Sequence, residues 1–172
     1  MYVLQAFLLT VFPALTIIAA LTDAVTFTIP NRISLLLLFS FFPTIFALGL
    51  PLQVSGINLA IGAAALAVGI GMFTMGWIGG GDAKLFAASA LWLGLPAMTT
   101  FLLVTAVAGG GLAVLLLNMR SPLLKPFLAG APPWLSRLVT PGESVPYGVA
   151  IAVGALVAFP QSSLMHAFHG SF

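Results

Sequence analysis

The sequence predicts an all-α, polytopic membrane protein of about six transmembrane helices, and three observations carry that expectation. Of 172 residues, 61% are hydrophobic and only 5% are charged, too little polar surface to solvate a globule of this size in water. Apolar stretches recur along almost the whole chain, many of them near the ~20 residues that cross a hydrocarbon core of about 30 Å. Strand-like alternation is missing, so the spanning segments are expected to close their backbone hydrogen bonds as helices rather than as a barrel.

The chain reads as a single membrane domain over 1–172, with spans at approximately 2–22, 33–50, 57–77, 82–95, 97–118 and 144–160. The first lacks the positive start and small-residue cleavage site of a secretory signal, so it is expected to be a retained helix. Pro30 restricts Ile29 to extended backbone and suits the opening of the second span. The fourth is short and begins with Asp82-Ala83-Lys84, placing its start at or just inside the interface; Gly94-Leu95-Pro96 supplies the turn into the fifth. Segment 119–143 holds Pro122, Pro126, Pro132, Pro133 and Pro141, too many for one helix. Its Leu123, Leu124, Phe127, Trp134 and Leu138, with Lys125 and Arg137, suggest a stretch on the membrane surface, a passive tether being the alternative. Small residues at Gly62, Gly69, Gly71 and Gly109-Gly110-Gly111 would let helices approach closely.

Charge placement sets an orientation. With the amino terminus outside, Arg32, Lys84, Arg120, Lys125 and Arg137 all fall in inner loops, as the positive-inside bias requires. The three acids, Asp23, Asp82 and Glu143, fall on the same side. For Glu143, exclusion of charge from lipid is explanation enough. The two aspartates have more particular surroundings. Asp23 closes the first helix, six residues before Ile29-Pro30-Asn31. Asp82 follows Gly79-Gly80-Gly81, a run that admits close approach by another chain, or else serves as hinge or packing contact. Gly79, Gly80, Gly81 and Lys84 are therefore candidate substrate-binding residues, although Lys84 suits a lipid phosphate at least as well.

Two carboxylates can hydrolyse a peptide bond when one is ionised, to take a proton from water, and the other protonated, to polarise the carbonyl. Like charges a few ångströms apart cannot both ionise cheaply, which produces that division. Asp23 and Asp82 are the only aspartates, 59 positions apart in sequence, on different helices and one membrane face. Helix polarity favours the anion on Asp82, at a helix start, and the proton on Asp23, at a helix end, as a microstate preference of one coupled pair.

These two motifs, Asp23 with Ile29-Pro30-Asn31 and Gly79-Gly80-Gly81-Asp82-Ala83-Lys84-Leu85, resemble those of the type IV prepilin peptidases, and Val145-Pro146-Tyr147-Gly148 through Gly154 is similar to that family's last-helix motif. The resemblance implies Asp23 and Asp82 as the catalytic pair of a membrane aspartic endopeptidase. It would remove the leader of a prepilin or pilin-like, membrane-anchored substrate at the cytoplasmic face of the bacterial inner membrane, with no cofactor. Longer family members carry a cysteine zinc site and a methyltransferase activity; with no cysteine, this chain resembles the short form of tight-adherence pilus systems. It departs from the family at Ala24-Val25-Thr26-Phe27-Thr28, where basic residues are common, which bears on substrate preference.

Two rivals share these residues. A presenilin-like intramembrane protease shares Gly-x-Gly-Asp but has a Tyr-Asp first motif that is missing here. A small transporter or non-catalytic assembly protein would use the aspartates as a proton or ion relay. A nucleic-acid partner is not expected from a net charge of +2 without a basic cluster. His166 and His169 fall on the outer side, and two histidines without further ligands make no metal site.

Overall fold

A computed structural model describes residues 1–121, 133–140 and 144–170. Its elements are α1 (Tyr2–Thr26), α2 (Asn31–Leu48), α3 (Leu52–Thr74), α4 (Gly80–Met119), α5 (Pro133–Leu138), α6 (Tyr147–Ala158), a 3-10 turn (Phe159–Gln161) and α7 (Ser163–Phe168). Among the described residues there is no strand. Among the described residues, five helical stretches are long and apolar enough to cross a membrane: α1 to α4 and the run Tyr147–Phe168. The protein is thus an all-α, polytopic membrane protein.

Local chemistry explains where these helices start and stop. Pro30 and Pro51 precede α2 and α3 with φ of −60° and −55°, at helix starts where a missing N–H leaves no bond unmade. Helix α1 runs one turn beyond the expected boundary because Ala24-Val25-Thr26 contains no breaker. It ends at Phe27, whose left-handed φ of 56° lets its N–H reach the Asp23 carbonyl oxygen. Asp23 therefore lies inside the last turn of α1 rather than after it. Helix α3 begins five residues before the expected 57, directly after Pro51.

Helix α4 is the hub, packing most extensively on α3 and α6. Straight, its 40 residues would reach about 60 Å, twice a bilayer core. It is not straight, because Gly94 adopts φ 67° and ψ −175°. The reversal shows in the Phe86 and Phe101 rings, which stack 5.2 Å apart, although residues so spaced on one straight helix would lie about 22 Å apart. Its arms, 80–93 and 95–119, correspond to the fourth and fifth expected spans. Helix α3 lies against the first arm, Gly69 on Ala83 and Gly62 on Leu91, and α6 against the second, Gly109 beside Tyr147 and Ala150. Gly71, Gly110 and Gly111 instead face open space.

The arms are anchored through Trp92, fully buried, which stacks on Phe12 of α1 at 5.3 Å and meets Phe41 of α2 edge-on at 6.1 Å. Its indole N–H donates to the Leu37 carbonyl oxygen at 2.7 Å, supplying the partner that a buried Trp needs. At the Gly94 end, buried Asn58 donates to Ser163 Oγ at 2.7 Å. The described charged side chains, Asp23, Arg32, Asp82, Lys84, Arg120 and Arg137, sit on helix ends and short connections at the opposite end of the bundle. There α5 folds over the end of α1, with Arg137 above the Phe27 ring at 5.1 Å and Arg120 Nε donating to the Leu138 carbonyl oxygen at 3.0 Å. Glu143 and the expected surface residues Leu123, Leu124, Lys125 and Phe127 lie outside the described residues.

A Cβ at position 94 would fall 2.5 Å from Asn58 Oδ1 and 2.7 Å from Ser163 Oγ. Gly94→Ala should therefore lose roughly 2 kcal/mol through strain and steric conflict. Gly110→Ala, in open space within the same helix, should be neutral or gain about 0.5–1 kcal/mol. Thermal unfolding of both variants in one detergent reads the contrast; equal midpoints would mean that the hairpin does not depend on this left-handed residue.

Candidate active site

Asp23 and Asp82 are buried, at 4% and 9% exposure, and close enough for their charges to act on each other. Each is placed by a different helix terminus. Asp23 hangs from the last turn of α1. Asp82 is the third residue of α4, where its Oδ2 accepts the Gly79 N–H at 3.1 Å, satisfying one of the amides that a helix start leaves open. Its Oδ1 is buried without a hydrogen-bond partner among the described residues.

A third helix terminus completes the site. Gly148, in the first turn of α6, donates its N–H to Asp23 Oδ2 at 2.8 Å. An open amide at the start of α6 thus meets the carboxyl carried by α1. A Cβ at 148 would lie 2.7 Å from Asp23 Oδ2 and 2.7 Å from Ile29 Cδ1, so any larger residue must push the ends of these side chains aside.

The two motif segments also touch directly. Ile29 is buried and rests on Gly81, where a Cβ would stand 3.1 Å from Ile29 Cβ and 3.3 Å from its backbone N and O. Gly79, Gly80 and Gly81 therefore differ in surroundings: Gly79 is capped by Asp82, Gly80 faces the Phe73 ring, and Gly81 carries the Ile29 contact. Lys84 extends to Asn31, its Nζ donating to Oδ1 at 2.8 Å. His166 and His169 lie on and just after α7, at the far end. No group of three or more His, Asp or Glu among the described residues could hold a metal. Reading residues alone missed Gly148 and Ile29 as site-forming positions. The available signal was a glycine directly after Pro146-Tyr147 at a helix start, but which carboxyl it would meet depends on packing between helices.

Chemically, two neighbouring buried carboxyls can hold one proton between them. That is the requirement for taking a proton from water on one side while donating one on the other.

Residues 10–114 match the model of the type IV leader peptidase family. The chain is 32% identical over 172 residues to the prepilin leader peptidase/N-methyltransferase of Bacillus subtilis (strain 168), an alignment that covers 96% of this chain and 60% of that relative. The chain thus spans less than two thirds of that relative's length. No solved structure matches it.

Asp23→Asn and Asp82→Asn keep side-chain size and an acceptor oxygen while removing one member of a buried carboxyl pair. Each variant should melt at or above the intact chain, by about 1 kcal/mol, as sites held against their own repulsion commonly do when neutralised. Thermal unfolding in detergent checks this; a loss beyond about 2 kcal/mol would assign the carboxyls to the fold rather than to a strained site.

Proposed function

We infer the activity of this chain from one premise: it belongs to the type IV leader peptidase family. On that basis it is an aspartic endopeptidase that removes the leader from prepilin-like, membrane-anchored substrates, and Asp23 and Asp82 are its catalytic pair. The observation that carries this reading is that the two aspartates, from different helices, are both buried and each held by a helix-start amide, Asp23 Oδ2 accepting the Gly148 N–H at 2.8 Å and Asp82 Oδ2 the Gly79 N–H at 3.1 Å.

The chemistry follows from the geometry. Asp82, at a helix start and with Oδ1 uncommitted, is suited to be the carboxylate that removes a proton from water. Asp23, in the last turn of a helix, is suited to hold the proton. The water oxygen bonds to the scissile carbonyl carbon as Asp82 takes its proton, and Asp23 gives its own proton to the carbonyl oxygen. The resulting tetrahedral diol then collapses. Asp82 returns its proton to the departing amine nitrogen as the C–N bond breaks, and Asp23 recovers one from a hydroxyl, restoring the starting state.

Of the glycines that border the pair, Gly81 is covered by Ile29, so an extended segment of substrate would lie along Gly79 and Gly80. A substrate anchored in the same bilayer reaches the site by two-dimensional diffusion, which raises its effective concentration without a deep pocket. The cationic Arg32, Lys84, Arg120 and Arg137 mark the aspartate end as the cytoplasmic one, with the amino terminus outside, in the bacterial inner membrane.

Co-expression with candidate prepilins, read by gel mobility and by the amino-terminal sequence of the pilin, tests the reading. The intact chain should shorten the pilin, and Asp23→Asn and Asp82→Asn should leave it whole. Gly148→Ala, which displaces Asp23, should slow cleavage about 100-fold. Shortening by both Asn variants at the rate of the intact chain would remove the pair from catalysis. A pilin left whole by every version, across several candidates, would favour an ion relay.

A further inference from the structure

We propose that the hydrogen bond between Asn31 and Lys84 is a latch that sets how Asp23 and Asp82 face each other, making both residues positioning residues for cleavage; this rests on the peptidase reading above. Helices α1 and α4, which carry the two carboxyls, touch each other only sparingly: α1 packs chiefly on α2 and α6, and α4 on α3 and α6. The relation between the carboxyls is therefore set through intermediaries. One is α6, whose Gly148 amide holds Asp23. The other is the corner between α1 and α2, pressed against the first turns of α4.

At that corner Ile29 rests on Gly81. An apolar contact of this kind resists separation but gives little resistance to sliding, because dispersion has no preferred direction. The bond from Lys84 Nζ to Asn31 Oδ1, 2.8 Å long and joining residues 53 positions apart, supplies the missing direction. Its ends are well placed to transmit it. Lys84 stands two residues after Asp82. Asn31 directly follows Pro30, whose φ of −60° leaves little slack between the start of α2 and Ile29. Both side chains are exposed, so it is this bond, not burial, that fixes their ends. The Lys84 ammonium is also committed toward the other motif instead of toward either carboxyl.

The test uses the full chain reconstituted in lipid with a prepilin-type substrate that the intact chain cleaves. Asn31→Leu and Lys84→Gln should each lower kcat about 5- to 10-fold, the range of one exposed hydrogen bond of ordinary net strength, with KM unchanged. The double variant should be no slower than either single one. Exchanging the partners, Asn31→Lys with Lys84→Asn, should restore kcat to within about 2-fold, and Asn31→Asp, which keeps an acceptor, should retain it.

A fall in rate for Lys84→Gln with none for Asn31→Leu would overturn the latch and place Lys84 on substrate or lipid phosphate. A rise in KM at constant kcat would do the same. No effect from either single variant would also overturn it. Thermal unfolding of the single and double variants reads the bond apart from cleavage: losses that do not add support it, and additive losses count against it. If the intact chain cleaves no substrate, the peptidase reading falls, while the unfolding cycle still decides the bond.

Discussion

Hydrocarbon offers a polar group no partner, so polar groups in this chain are favoured where they find one inside the protein or reach an end of the bundle. That preference sorts the residues. Thr16 and Thr44 return their hydroxyls to the carbonyl oxygen four residues back in their own helices, and the Trp92 indole finds the Leu37 carbonyl. The described charged residues collect at one end. Asp23 and Asp82, though buried, lie at that end because only helix termini have open amides to offer them. Their location follows from the same rule that makes the remainder of the chain apolar.

Three helix termini meeting at one point is therefore more than a convenient layout. Asp82 caps the start of α4, the start of α6 supplies the Gly148 amide, and the end of α1 delivers Asp23. Bringing them together depends on the Gly94 reversal, which returns the second arm of α4 to the aspartate end, where α6 can lie along it. Trp92, sitting two residues before that reversal and contacting both α1 and α2, fixes the register of the first arm. A substitution distant from the carboxyls can thus move them, since the arms of α4 are the common support.

Much of this was legible in the sequence because membrane spans and charge-bearing ends are one-dimensional signals. Apolar length, the Gly94-Leu95-Pro96 turn and the proline before α2 each act through neighbouring residues. The same holds for the Asp23 and Asp82 motifs, whose spacing around Ile29-Pro30-Asn31 and Gly79-Gly80-Gly81 can be read directly. Less legible were features that depend on packing between helices. The extra turn of α1 that carries Asp23 into the helix depends on a left-handed Phe27, a conformation few would expect of a bulky residue. The bond from the Gly148 amide to Asp23 and the contact of Ile29 with Gly81 arise only when distant helices meet. Lys84, read as a residue for lipid or substrate, turned out to reach Asn31, a partner that no local pattern marks.

The shortness of the first arm of α4 has a consequence for the surrounding bilayer. Residues 80–93 reach about 20 Å at ~1.5 Å per residue, well short of a hydrocarbon layer of about 30 Å. With Asp82 at one interface, the Gly94 turn ends below the opposite one, and what gathers at that depth is polar: Asn58 with Ser163, and Thr100 with Gln161 at 2.7 Å. These groups satisfy one another, and a thicker membrane makes the mismatch of so short an arm harder to accommodate. Acyl-chain length then becomes a mechanical load on the α4 hairpin, and through it on the spacing of the two carboxyls at the other face.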